Sequence, residues 1–368
     1  MGKRAWLLLA VLLLPACGDS GSDDGPTRPY RMGFTPWLYD ATMEARDWVF
    51  ERIGAEGDVV SEHLEEGVPW PEMLAGQAFS GTFLAELEGR RSKKPPGQRV
   101  LVQINPLDTG RSGLAPYRGA GVAEPLPAPW NGYALNHPNV KAAFLNYALR
   151  MVDLFQPDYL GIGIEVNLLA INAPGSWSAY VELHRHVYAG VKALHPTLTV
   201  FASFFCVPFF PEWTSPYVGV AQSQALADLE PHVDLVAFSV HPFMSALLAE
   251  TFPADYLDRL FALTSKPVAI AESSYPAQVW STSSGLTFNG SIAKQDDFLR
   301  RMLDACDRHR ARFVIWFAIR DYDALWAGVL GSSELALVWR DTGLYDEPGA
   351  PRTAALTWRA ALAVPYAP

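Results

Sequence analysis

Basic residues are scarce: 29 Lys and Arg stand against 39 Asp and Glu in 368 residues, a net charge of −10. No basic stripe breaks this balance, so nucleic acid is not an expected partner. An acidic surface also does not dock electrostatically on anionic lipid. Only three cysteines occur, too few for a disulfide scaffold. No apolar run reaches the roughly 18–20 residues that span a bilayer. No Gly-rich phosphate loop follows the first strand, which argues against a nucleotide enzyme. No G-x-S-x-G elbow appears, which argues against an α/β-hydrolase esterase. H-E-x-x-H is missing, and His63 beside Glu62 lacks ligand spacing, so neither a catalytic metal nor a cofactor is expected.

The N-terminus reads as an export signal. Lys3 and Arg4 precede an apolar run from Trp6 to Leu14, and Leu14-Pro15-Ala16-Cys17 resembles a bacterial lipobox. Cleavage before Cys17 would make it the lipid-carrying mature N-terminus; the alternative is an ordinary secretory signal with an unmodified cysteine. Residues 1–16 are then the signal peptide, and 17–29 (rich in Gly, Ser, Asp and Pro) a flexible tether. The implied location is outside the cytoplasm, lipid-anchored to a bacterial membrane, with that anchor as the only membrane contact. Losing Lys3 and Arg4 takes the mature net charge to −12. Cys206 and Cys306 fall in apolar patterns and read as two buried thiols, the alternative in an exported protein being a disulfide.

From residue 30 to 368 the chain reads as one domain. It is 49% hydrophobic, with 12 Trp, 14 Tyr and 19 Phe. Strand and helix signals alternate, which implies βα units around a parallel sheet. Strands are expected near Arg31–Pro36, Asp58–His63, Arg99–Asn105, Tyr159–Val166, Leu198–Phe205, Val233–His241, Pro267–Glu272 and Arg312–Ile319. Eight strands favour a closed (β/α)8 barrel, a TIM barrel of class α/β, over an open sheet. The clearest helices are 139–156, with Val140, Phe144, Tyr147, Met151 and Leu154 on one face, and 291–306, with Ile292, Leu299, Met302, Leu303 and Cys306. Long loops follow strand three (106–137, with Trp130 and Tyr133) and strand eight (320–350, with Tyr322, Trp326 and Trp339).

Two strands end in an acid. In Asp158–Asn167, alternation puts Leu160, Ile162, Ile164 and Val166 on one side, and Gly161, Gly163, Glu165 and Asn167 on the other. Lys266–Pro276 is again an apolar run, ending at Glu272. A barrel of this kind builds its chemistry at the carboxyl ends of its strands, and two carboxyl groups there are what glycosidic cleavage requires. The bland reading is a pair of solvated strand-end glutamates.

With these residues in view, the chain resembles the clan A glycoside hydrolases. It is most similar to family 53, the arabinogalactan endo-β-1,4-galactanases. Glu272-Ser273-Ser274-Tyr275-Pro276 and Ser239-Val240-His241-Pro242-Phe243 carry the likeness, with Gly161–Asn167 a looser match. The resemblance implies a retaining β-glycosidase acting on a galactan-like polysaccharide or oligosaccharide, which the N-terminal signal would export. Glu165 would be the acid/base and Glu272 the nucleophile. It also implies Asn directly before the acid/base and Arg near the end of strand two. Here Ile164 takes the first place, Asn167 sharing Glu165's face, and Val59–His63 lacks the arginine.

Other strand-end residues have two readings each. Gln103 and Asn105 can bind sugar hydroxyls or cap the loop. His241 can touch the nucleophile or a sugar, or be a satisfied structural histidine. Tyr275 can contact substrate or anchor a loop, and Trp316 can floor a sugar subsite or fill the core. The rival function is a non-catalytic, glycan-binding lipoprotein on a degenerate barrel.

Overall fold

A computed structural model describes residues 25–210, 212, 222–245, 248, 252–285 and 287–368. The expected signal, Cys17 and the tether to residue 24 lie outside the described residues.

The alternating segments form β1 (Arg31–Phe34), β2 (Val59–Leu64), β3 (Arg99–Ile104), β4 (Tyr159–Gly161), β5 (Thr199–Phe205), β6 (Leu235–Val240) and β7 (Val268–Ser273). After a two-stranded hairpin of β8 (Val279–Ser281) and β9 (Thr287–Asn289) comes β10 (Phe313–Trp316), the eighth barrel strand. Every barrel strand runs parallel to its neighbours, and β1 pairs with β10 to close the ring. The fold is the expected closed (β/α)8 barrel.

The two faces of these strands carry different cores. Val59, Leu101, Phe201, Leu235, Ala237, Ala269, Ala271, Phe313 and Ile315 form a cluster of their own inside the ring. The alternate residues, among them Phe34, Val60, Val102 and Phe238, join the much larger cluster beneath the helices. Pro138–Phe155 and Ile292–Arg308 are helical, close to the expected bounds. Their predicted faces are buried except at Leu154, half-buried, and Ile292, which is 47% exposed at the first turn. Ser291 caps that turn, its hydroxyl accepting from Lys294 N at 3.2 Å. Cys206 and Cys306 are buried free thiols. The two ends of the domain meet: Arg28 N donates to Pro365 O at 2.8 Å and Ala367 N to Arg28 O at 2.9 Å, so the packed unit takes in Arg28.

β4 is shorter than expected, ending at Gly161 rather than Val166. The chain still follows β5 for two residues, with Ile162 N donating to Phe201 O and Ser203 N to Gly163 O. It then turns at Glu165, whose φ of 51° is left-handed, into a short 3-10 helix, Val166–Leu168. The strict alternation therefore ends before Glu165.

Barrel closure also dictates Gly33 on β1, where a Cβ would stand 2.2 Å from Val59 O of the next strand. Backbone cannot yield as a side-chain tip can. Gly33→Ala should destabilise the fold by about 1–3 kcal/mol or more, read as a lower urea midpoint; an unchanged midpoint would disprove this packing.

Candidate active site

The carboxyl ends of the strands form the mouth. By strict alternation Glu272 would point away from it, because Ala269 and Ala271 both face the interior. The pairing of β6 with β7 shifts here: Phe238 lies opposite Ile270, but Ser239 lies opposite Glu272. This bulge takes up one residue and turns Glu272 inward. Elsewhere the period of two holds. Ser61 and His63 line up on β2, Gln103 and Asn105 on and beyond β3, and Ser239 and His241 on and beyond β6.

Two histidines hold Glu272. His63 Nδ1 lies 3.4 Å from Oε2, and His241 Nε2 lies 3.3 Å from Oε1. The other nitrogen of His241 is 2.8 Å from Ser274 Oγ. Across the mouth, Arg111 Nη2 stands 3.3 Å from Glu165 Oε2, while Nη1 pairs with Glu65. Glu65 also receives Asn105 Nδ2 at 3.0 Å and faces His63 Nε2 at 3.3 Å. An unbroken chain of charges thus runs Glu272–His63–Glu65–Arg111–Glu165. Asn105 braces it, its Oδ1 accepting from Leu107 N and Ile164 N. Glu165 N donates to Ser203 Oγ at 3.0 Å, fixing the left-handed turn that presents the carboxyl.

The environments push the two glutamates apart. Burial raises Glu165, Arg111 lowers it, and the negative charge of Glu272 raises it; the net shift is upward. Burial also acts to raise Glu272, but the His241 hydrogen bond and the charges of His63 and His241 outweigh it, and the net shift is downward. One carboxyl is biased toward the acid, the other toward the carboxylate. Glu65 is held at about 2, its burial outweighed by Arg111 and His63.

Of the residues expected at a sugar-facing surface, His241 and Asn105 stand in this network. Gln103 lies deeper in the ring, its Nε2 3.4 Å from both Ser61 Oγ and Ala271 O. Three residues stand away from any sugar-facing surface, Asn167 against expectation, Tyr275 and Trp316 by the second of their two readings. Asn167 is fully buried and does not share Glu165's face, because the 3-10 turn rotates it away. It accepts from Phe205 N at 2.7 Å and donates to Phe205 O at 3.0 Å and Gln222 Oε1 at 2.8 Å. Tyr275 is buried against Phe298 and Phe288. Trp316 is fully buried, its Nε1 donating to Thr342 O at 3.0 Å; it faces outward from the ring, so it is core and not a floor for a sugar.

Half-buried aromatic faces come instead from Trp339, in the long loop expected after strand eight, and from Trp37, which the sequence did not single out. Trp37, just past β1, packs on Phe317, just past β10, at 5.3 Å. Trp339 stands edge-on to His241 at 6.1 Å. His63 and Glu65 were missed as site residues although alternation from Ser61 reaches both. Arg111 had no signal, lying within the long loop after β3, which has no period. Glu62 turns outward to Arg90, 3.5 Å away, so it and His63 cannot share an ion. An H-x-H spacing does occur, at His184 and His186 on helix Trp177–Leu194, but His184 Nε2 donates to His232 O at 2.9 Å outside the barrel. Asp321, Asp323 and Asp341 lie close enough to hold a cation. They are paired instead, Asp321 with Arg352, and Asp323 and Asp341 with Arg340.

No family model matches the chain, and no curated protein matches it. Solved structures do. An exo-β-1,4-mannosidase, Op5Man5 from Opitutaceae bacterium strain TAV5, aligns over 91% of this chain and 59% of its own, at 14% identity and a TM-score of 0.62. The chain therefore spans less than two thirds of that enzyme. Fungal β-1,4-galactanases align over 90% of this chain and 94% of theirs, at 14% identity and a TM-score of 0.56. The GH53 catalytic domain of Ignisphaera aggregans aligns over 86% and 88%, at 15% identity and a TM-score of 0.55. At these identities the likeness is one of fold.

Asn167 should behave as a structural residue. Asn167→Ala strips the partners from Phe205 N–H and C=O, and an unsatisfied buried group costs about 1–3 kcal/mol. Denaturant unfolding should show a loss of about 2–4 kcal/mol; full stability in this variant would refute the placement.

Proposed function

We propose that the chain is an exported, lipid-anchored, retaining β-glycosidase acting on a galactan-like polysaccharide. The observation that carries this reading is the opposed environment of Glu165 and Glu272 at one barrel mouth. Barrels of this fold keep their chemistry at that end, and glycoside hydrolysis needs one carboxylic acid and one carboxylate. Fold alone implies no activity; the two carboxyl environments are what favour this one.

Glu165, biased toward its acid form, donates its proton to the leaving glycosidic oxygen. Glu272, ionised between His63 and His241, attacks the anomeric carbon and forms a glycosyl ester. That ester is neutral, so the charge that raised Glu165 disappears and its proton affinity falls. Glu165 is then suited to take a proton from the incoming water, which attacks the same anomeric carbon and releases Glu272. Two inversions return the original anomeric configuration. Trp339, beside His241, and Trp37, just past the end of β1, offer aromatic faces for sugar rings. An internal, endo-type cleavage of β-1,4-galactan is the specific form proposed, in line with what the galactanase structures are named for.

The test is reducing-sugar release on a panel of β-linked polysaccharides including galactan, with the anomer first formed read by proton NMR. Glu165→Gln and Glu272→Gln should each lower kcat/KM by about 10²–10⁴-fold or more, with folding intact and the β-anomer formed first by the wild type. Activity surviving Glu272→Gln would remove the nucleophile assignment. Saturable binding of a glycan without turnover would favour the glycan-binding reading. For the anchor, Cys17→Ser should move the protein from the membrane fraction to the soluble fraction of its bacterial host. Equal partitioning of the two forms would dismiss lipidation at that residue.

A further inference from the structure

The two histidines on Glu272 are not equivalent. His241 faces Glu272 with Nε2 and Ser274 with Nδ1. A serine hydroxyl can donate as well as accept, so a neutral imidazole satisfies both contacts. His63 faces a carboxylate on each side, Glu272 at Nδ1 and Glu65 at Nε2. A neutral ring has one N–H, and its bare nitrogen would then point a lone pair at a carboxylate oxygen. Only the imidazolium donates to both.

Glu65 is the group that imposes this. Its carboxylate takes Arg111 and Asn105 on Oε1 and His63 on Oε2. Arg111 is itself almost wholly buried, its Nη1 also donating to Asp108 O and its Nη2 reaching Glu165. Without a third carboxylate, two buried cations would stand beside two strand-end glutamates, one of which is biased toward neutrality. We propose that Glu65 is a positioning residue, which keeps His63 an imidazolium against Glu272 and holds Arg111 against Glu165. The inference rests on the reading of Glu165 and Glu272 as the reacting pair only for its effect on rate.

The groups facing His63 are Glu272 from β7, Glu65 just beyond β2 and Arg111 from the loop after β3; His241 from beyond β6 acts through Glu272. Burial and Arg111 act to lower the His63 pKa, and the two carboxylates prevail, raising it to about 9. A histidine raised in the folded state stabilises fully below its unfolded value of about 6.5. That contribution is lost as pH rises through about 9.

The experiment is an NMR titration of the full chain labelled with ¹⁵N-histidine, the His63 signals being assigned by their loss in His63→Gln. His63 should titrate near pH 9, and Glu65→Gln should lower its midpoint by at least one unit, a tenfold or greater loss of proton affinity. On a hydrolysed glycan, where the alkaline limb of kcat/KM reports Glu165 as the acid, that limb should also move to lower pH, because the charge of Glu65 that raises Glu165 is gone and Arg111 is left to Glu165 alone. Glu65→Asp, which keeps the charge, should restore most of both shifts. A wild-type midpoint below 7, or one unmoved by Glu65→Gln, overturns the proposal; so does a uniform fall in kcat with the alkaline limb in place. If Glu65→Gln does not fold, the wild-type midpoint decides alone. If the chain hydrolyses no glycan, the titration still decides the role of Glu65, and the failure is that of the proposed function.

Discussion

Everything at the mouth depends on the pleat of a closed sheet. In a ring of parallel strands each residue faces either the interior or the helices, and the interior of this one is filled by Val59, Leu101, Phe201, Leu235, Phe313 and Ile315. Charges cannot sit among those groups unpaired. They collect at the upper rim, where an interior-facing residue leaves the packed layer: His63 and Glu65 above Ser61, Asn105 above Gln103, His241 above Ser239. Glu272 is out of phase with this rule, and the displaced pairing of β6 and β7 brings it into phase.

The rim then has to balance its charges, because most are withdrawn from water. Glu165, Glu65 and Glu272 face Arg111 and His63 in alternation, so no two like charges are direct neighbours in the chain of contacts. The balance is not symmetric. Glu272 has two histidines and is favoured as the anion; Glu165 shares one arginine with Glu65 and is left more easily protonated. The arrangement separates an acid from a carboxylate without either being isolated from a partner.

The barrel itself was legible in the chain because its signals are local. Apolar runs such as Leu235–Val240 and Phe313–Trp316 are buried wherever they pack, and helices such as Pro138–Phe155 show their buried face at a period of 3.6. Site residues were legible where they obeyed the strand period, as Asn105 and His241 do. Trp316 was ambiguous because an aromatic in a strand looks the same whether it faces sugar or helix. Asn167 misled because the alternation was carried past Gly163, where a left-handed residue and a 3-10 turn replace the strand.

The sequence by itself determined the elements, their order, the closed parallel sheet and the two strand-end glutamates, since each of these follows from short-range periodicity and burial. Tertiary structure alone decided the inward aim of Glu272, which hangs on a register between two strands. It alone brought in Arg111, which reaches Glu165 from 54 positions away. It alone joined His63, Glu65 and Arg111 into one chain of charges. Such contacts depend on distances between segments far apart in the chain, and no local pattern of residues records a distance.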